Sequence, residues 1–142
     1  DSEVAQALTE GGQGGLEIYQ LAARHQVTPG TTNLGTVRAI SAETGRTEWL
    51  FETRAGTMSL VATGGGLVFG GDANGRFRAF DHRTGEILWE INIGSSVSGY
   101  PITFEVDGTQ YIAVNTGGGQ VNLTPELRPS RGTNLYVFAL PN

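Results

Sequence analysis

The chain has 142 residues with 14 acidic and 9 basic side chains, a formal charge of −5, 22 glycines and no cysteine. That balance leaves no basic stripe for nucleic acid, and the missing Cys removes disulfides, thiolate metal sites and cysteine-attached haem. No apolar run approaches the roughly 18 residues of a membrane helix, the length suits about one domain, and many glycines among short apolar runs point to an all-β protein.

Residues 1–15 carry neither a basic nor an apolar signal region, which predicts no retained signal sequence. The chain starts at Asp1 rather than Met, the expectation for a processed or partial protein. LEIYQLA (16–22) fits a strand or a short helix, and its pattern does not choose between them.

Shifting the chain by 40 places Gly35, Arg38, Ala39, Thr44, Gly45 and Trp49 on Gly75, Arg78, Ala79, Thr84, Gly85 and Trp89. Val37, Ile40 and Phe51 fall on Phe77, Phe80 and Ile91, so the apolar alternation is also in register. Each copy reads as a strand, a tight turn and a returning strand. Val37 and Ala39, like Phe77 and Ala79, alternate with polar or exposed neighbours, as in half-buried strands. Asp81, with Ser41 as its counterpart, can accept backbone N–H bonds and open the turn. Gly45 and Gly85 supply a left-handed position. The tryptophans bury a large area, need a partner for the indole N–H, and pin one sheet against the next. The small Ala39 and Ala79 leave room for an indole from a neighbouring sheet.

Around the second copy, MSLVAT (58–63), GLVFGG (66–71), RFRAFD (76–81) and EILWEINI (86–93) predict a four-stranded sheet over 57–93. YPITFEV and TQYIAVNT follow, joined by the hairpin signal Asp107-Gly108. NLYVFAL (134–140) repeats the strand pattern with Ala139 in the small position, and no Trp strand follows it. The expected organisation is an incomplete sheet in 1–53, a complete one in 57–93 and a last one in 98–142 that lacks its closing strand. Radial β-propellers use four-stranded sheets, typically about 4–8 of them. At about 40 residues each this chain supplies roughly three, so it is expected to be the C-terminal part of a larger ring that the N-terminal segment closes.

AFDHRTGEILW (79–89) fits the tryptophan-docking motif Ala-x-Asp-x-x-x-Gly-x-x-x-Trp of the quinoprotein dehydrogenases. The stretch from Gly65 to Val114, and the terminal LYVFALPN, resemble the last blades of the alcohol dehydrogenases that use pyrroloquinoline quinone. The resemblance covers roughly 33–142. It implies an eight-bladed propeller in a periplasmic enzyme that oxidises alcohols or sugar alcohols and passes two electrons to a cytochrome or quinone acceptor. It also implies a calcium or lanthanide ion beside the quinone as Lewis acid, with the catalytic Asp and most metal ligands in the N-terminal remainder of the propeller. No catalytic or metal role is therefore assigned to any residue here.

What this chain is expected to add is part of the quinone rim. Thr57, Met58 and Ser59 lie where an innermost strand begins, and Gly118, Gly119, Gln120 and Val121 follow the strand QYIAVNT. Glycine-rich backbone allows close approach of a flat acidic cofactor and offers N–H groups to its carboxylates. Relatives that oxidise methanol carry a Trp near Thr57, absent here, and relatives often carry a Trp after the glycines, where this chain has Gln120 and Val121. The long connection 116–132 is a candidate cover for the entrance or a docking loop.

Several weaker signals carry no function. DANG (72–75) is a turn without the later acidic ligands of a calcium loop, and NLT (122–124) is a formal glycosylation sequon. His25 and His82 have no metal-ligand spacing, and Ser59 has no His in a motif context. The alternative from another class is a cofactor-free propeller that scaffolds other proteins. It would have a filled core rather than a cavity at the axial ends of 56–60 and 117–121.

Overall fold

The computed structural model describes residues 30–117, 127 and 129–139. LEIYQLA, His25, the NLT sequon, Gly118, Gly119, Gln120 and Val121 lie outside the described residues. Thr31–Asn142 form one compact unit, and the described part of that unit is built from antiparallel strands. β1 (Gly35–Ile40) pairs with β2 (Thr47–Thr53) in one sheet. β3 (Thr57–Ala62), β4 (Leu67–Asp72), β5 (Arg76–Asp81) and β6 (Ile87–Asn92) form a second, each strand beside the next. β7 (Ile102–Val106), β8 (Thr109–Asn115) and β9 (Leu135–Ala139) form a third in the same meander.

The two tryptophan hairpins share one design. Ala39 pairs with Trp49 and Ala79 with Trp89, and each ladder slips one step later. In the second turn the Asp81 carboxylate accepts the N–H groups of Arg83 and Thr84 at 2.8 and 2.9 Å. In the first, the Ser41 hydroxyl accepts from Thr44 at 3.2 Å. The repeated threonine has a local task too: its hydroxyl accepts the N–H two residues on, at 3.3 Å from Arg46 and 3.2 Å from Glu86.

The glycine of the motif serves the neighbouring sheet as much as its own turn. Gly85 has φ +72°, and a Cβ there would lie 2.6 Å from the Trp49 ring. The indole of Trp49 lies against that glycine, donates to the His82 carbonyl at 2.9 Å and stacks 6.3 Å from Phe80. Room for the neighbour's indole is thus made by Gly85. Ala39 and Ala79 sit opposite the tryptophan of their own sheet, which corrects the expectation drawn for them. Trp89 in turn meets Phe138 of the third sheet edge-on at 5.3 Å.

The core lies between the second and third sheets. It joins Phe69, Phe77, Ala79 and Ile93 to Val97, Ile112 and Val114, with Tyr136 and Phe138 against them. Arg78 departs from the expected half-wet alternation. It is only 8% exposed, because its face of β5 is covered by the first sheet, and its guanidinium lies 5.3 Å from the Phe51 ring centre. A sheet packed on both faces has no polar side to offer. Asp107 (φ 50°) and Gly108 (φ 77°) form the two-residue hairpin turn read from their sequence.

Candidate functional site

One end of the sheets gathers the start of β3, the β4–β5 turn, the crossover from β6 to β7 and the start of the β8–β9 connection. The Ala73 N–H donates to the Gly56 carbonyl at 2.8 Å, and the Val97 N–H donates to the Asp72 carbonyl at 3.1 Å. The Ser96 hydroxyl donates to the Ala73 carbonyl, and the Gly117 N–H donates to the Ser96 carbonyl at 2.9 Å. Val97, Ser95, Ser96 and Thr116 are buried here. Gly71 lets the crossover approach: a Cβ on it would lie 2.4 Å from the Val97 side chain.

Asp72 fixes this end electrostatically. It is 1% exposed; one carboxylate oxygen accepts the N–H groups of Asn74 and Arg76 at 2.8 and 3.0 Å. The other accepts from the Arg78 guanidinium at 2.7 Å. Arg78 also donates to Glu90 at 2.6 Å, and Arg76 reaches the second Glu90 oxygen at 3.0 Å. The DANG turn therefore does more than reverse the chain. Its Asp caps the turn and neutralises a buried Arg, a pairing that local sequence does not reveal.

The residues expected at a quinone rim divide in three. Thr57, half-buried, pairs with Asp72 at this end, and Gly56 before it has open space where a Cβ would stand. Met58 continues β3. Ser59 is buried and donates its hydroxyl to the carbonyl of Gly99 in the stretch leading to β7. The glycine-rich stretch after Gly117 lies outside the described residues. The far part of its connection is tied to the same end, where the Ser130 N–H donates to the Gly94 carbonyl at 2.8 Å.

Among the described residues no three His, Cys, Asp or Glu side chains converge as a metal site. A depression of about 410 Å³ lies at the opposite end, between Ala62–Leu67 and His82–Arg83, away from this cluster.

The sequence model for the pyrroloquinoline-quinone family described as "Glucose/ethanol/alcohol dehydrogenase, beta-propeller domain" matches residues 53–112, which hold the whole second sheet and the crossover. Residues 53–112 are a section of this family's propeller domain. A quinoprotein ethanol dehydrogenase of Pseudomonas putida is 40% identical over 117 residues, covering 77% of this chain and 19% of that protein. Subunit 1 of a cytochrome c methanol dehydrogenase of Methylorubrum extorquens is 42% identical over 90 residues, or 61% of this chain and 14% of that one. The solved structure of a europium-containing methanol dehydrogenase matches with a TM-score of 0.65 and 31% identity, covering 74% of this chain and 23% of its own. The chain spans about a fifth of the length of the quinoprotein ethanol dehydrogenase it matches.

Proposed function

We propose that this quinoprotein section is the C-terminal part of a periplasmic enzyme that oxidises alcohols or sugar alcohols with pyrroloquinoline quinone. The observation that carries the reading is the match running through a complete tryptophan-docked sheet and its crossover. Two exposed apolar faces support a larger ring. Ile102, Phe104, Val106, Leu135 and Val137 remain exposed on the third sheet, as do Ile40 and Leu50 on the first. Soluble monomers rarely leave such sheet faces open, and further blades from the N-terminal remainder of the protein would cover them.

In this reading the bound quinone supplies the two-electron acceptor, and a calcium or lanthanide ion beside it supplies Lewis acidity. The base and the ion's ligands come from the remainder of the propeller, and a cytochrome or quinone removes the electrons. This chain's share is the rim: backbone at Gly56 and Thr57, the strand residues Met58 and Ser59, and the stretch Gly118, Gly119, Gln120 and Val121. Gly56, Thr57 and the glycine-rich stretch hold the cofactor's plane and exclude water from it, and Met58 and Ser59 carry the strand that supports them.

The test is to load the complete protein with the quinone and with calcium or a lanthanide, then follow dye reduction with a series of alcohols. Quinone absorbance with alcohol-dependent turnover is expected. Neither appearing would overturn the proposal.

A further inference from the structure

Resting on that reading, one residue expected at the rim has a more specific task. β3 pairs Thr57 with Asp72 and Leu60 with Gly70, so three steps on β3 match two on β4. The extra residue is a bulge at Met58–Ser59, and bulges on edge strands turn a side chain out of the sheet's alternation. Ser59 is buried, and its hydroxyl meets the Gly99 carbonyl 40 residues away, in the next sheet's lead-in. That lead-in is held from its other side. Val97 bridges to Thr116, the Ser98 N–H donates to the Asn115 carbonyl at 3.4 Å, and a Cβ on Gly99 would collide with the Asn115 amide. Gly99 is therefore a fixed point, and Ser59 ties the bulged edge strand to it two residues from Thr57.

We infer that Ser59 is a positioning residue whose hydroxyl, by donating to the Gly99 carbonyl, sets the spacing of the axis-side strands of two consecutive blades and with it the width of the quinone-holding end. The side chain does not itself touch the cofactor. Its loss widens the end and loosens the fit on the ring.

The experiment compares Ser59→Ala, Ser59→Thr and Thr63→Ala in the complete protein. Thr63 is the control: its hydroxyl also meets a main-chain carbonyl, that of Leu67 at 3.2 Å, at the other end of the same strand pair. Each apoprotein is titrated with pyrroloquinoline quinone at fixed calcium, and amide hydrogen exchange of 97–101 is followed without quinone. Ser59→Ala is expected to bind quinone about tenfold more weakly, as loss of one buried hydrogen bond allows, and to exchange faster at Ser98 and Gly99. Ser59→Thr restores both, and Thr63→Ala changes neither while losing similar thermal stability. Unchanged quinone affinity in Ser59→Ala, or equal weakening in Thr63→Ala, overturns the inference. A wild-type protein that binds no quinone overturns the functional reading and this inference with it.

Discussion

Replacing Gly85 by Ala tests the docking of one blade on the next, and the same change made in a Trp49→Ala background is its control. Gly85 and Gly45 sit in the same turn position, with φ +72° and +69°. A Cβ on Gly45 meets nothing within 4 Å, whereas one on Gly85 lies 2.6 Å from the Trp49 ring. The left-handed conformation costs a non-glycine residue about 1–2 kcal/mol, and Gly85→Ala bears it with or without the indole. Overpacking against an indole fixed by its bond to the His82 carbonyl adds about 1–3 kcal/mol to Gly85→Ala while Trp49 is in place. The difference between Gly85→Ala in the wild-type and in the Trp49→Ala background therefore isolates the contact between blades. Urea unfolding of the complete protein, read as the shift in midpoint at constant slope, measures it. Combining Gly85→Ala with Trp49→Ala should cost less than the sum of the single changes, because the clash needs both partners. Strict additivity in the pair would refute the argument.

Arg78→Ala should destabilise by about 3–5 kcal/mol, because it strands the buried Asp72 carboxylate. Glu90→Ala should cost far less, since its side chain is 33% exposed and water can take its place; thermal unfolding of the two variants gives the ranking. Trp49→Phe keeps the ring but removes the donor to the His82 carbonyl, and the same measurement should show a loss of about 0.5–1.5 kcal/mol. The N–H groups of Arg83 and then Thr84 hold the Asp81 carboxyl below its ordinary value of 3.8. A carboxylate depressed in the fold stabilises above its unfolded value, and the stabilisation fades as pH falls below 3.8 through the lower folded value. Protection of the Arg83 and Thr84 amides, relative to their intrinsic exchange at each pH, should fall in that window, Asp81→Asn should abolish the dependence, and the equivalent turn at Ser41 should show none.

What the sequence revealed follows the range of each interaction. The hairpins were legible because Asp81, Thr84, Gly85 and Trp89 act within a few residues and recur at Ser41, Thr44, Gly45 and Trp49. The partner of the indole was not, since His82 offers only a main-chain carbonyl, 33 residues from Trp49. Arg78 read as a solvated strand residue because alternation assumes one wet face, and a blade between two others has none. Its pairing with Asp72 looks in sequence like an ordinary polar turn beside an ordinary polar strand. Ser59 and Ser96 carried even less signal: each reaches a carbonyl 40 or 23 residues away, in contacts that only the stacking of sheets creates. Thr57 and Gly56 enter the proposed rim through the start of the inner strand, a position set by chain order rather than by residue chemistry.

The most direct measurement is a crystal structure of the complete protein grown with pyrroloquinoline quinone. The account predicts the quinone against the Gly56–Thr57 backbone, with Trp49 on Gly85 and Ser59 on Gly99 as described. A quinone lodged instead at the opposite end, beside Gly64–Gly66 and His82, or strands β3 and β7 lying apart, would contradict it.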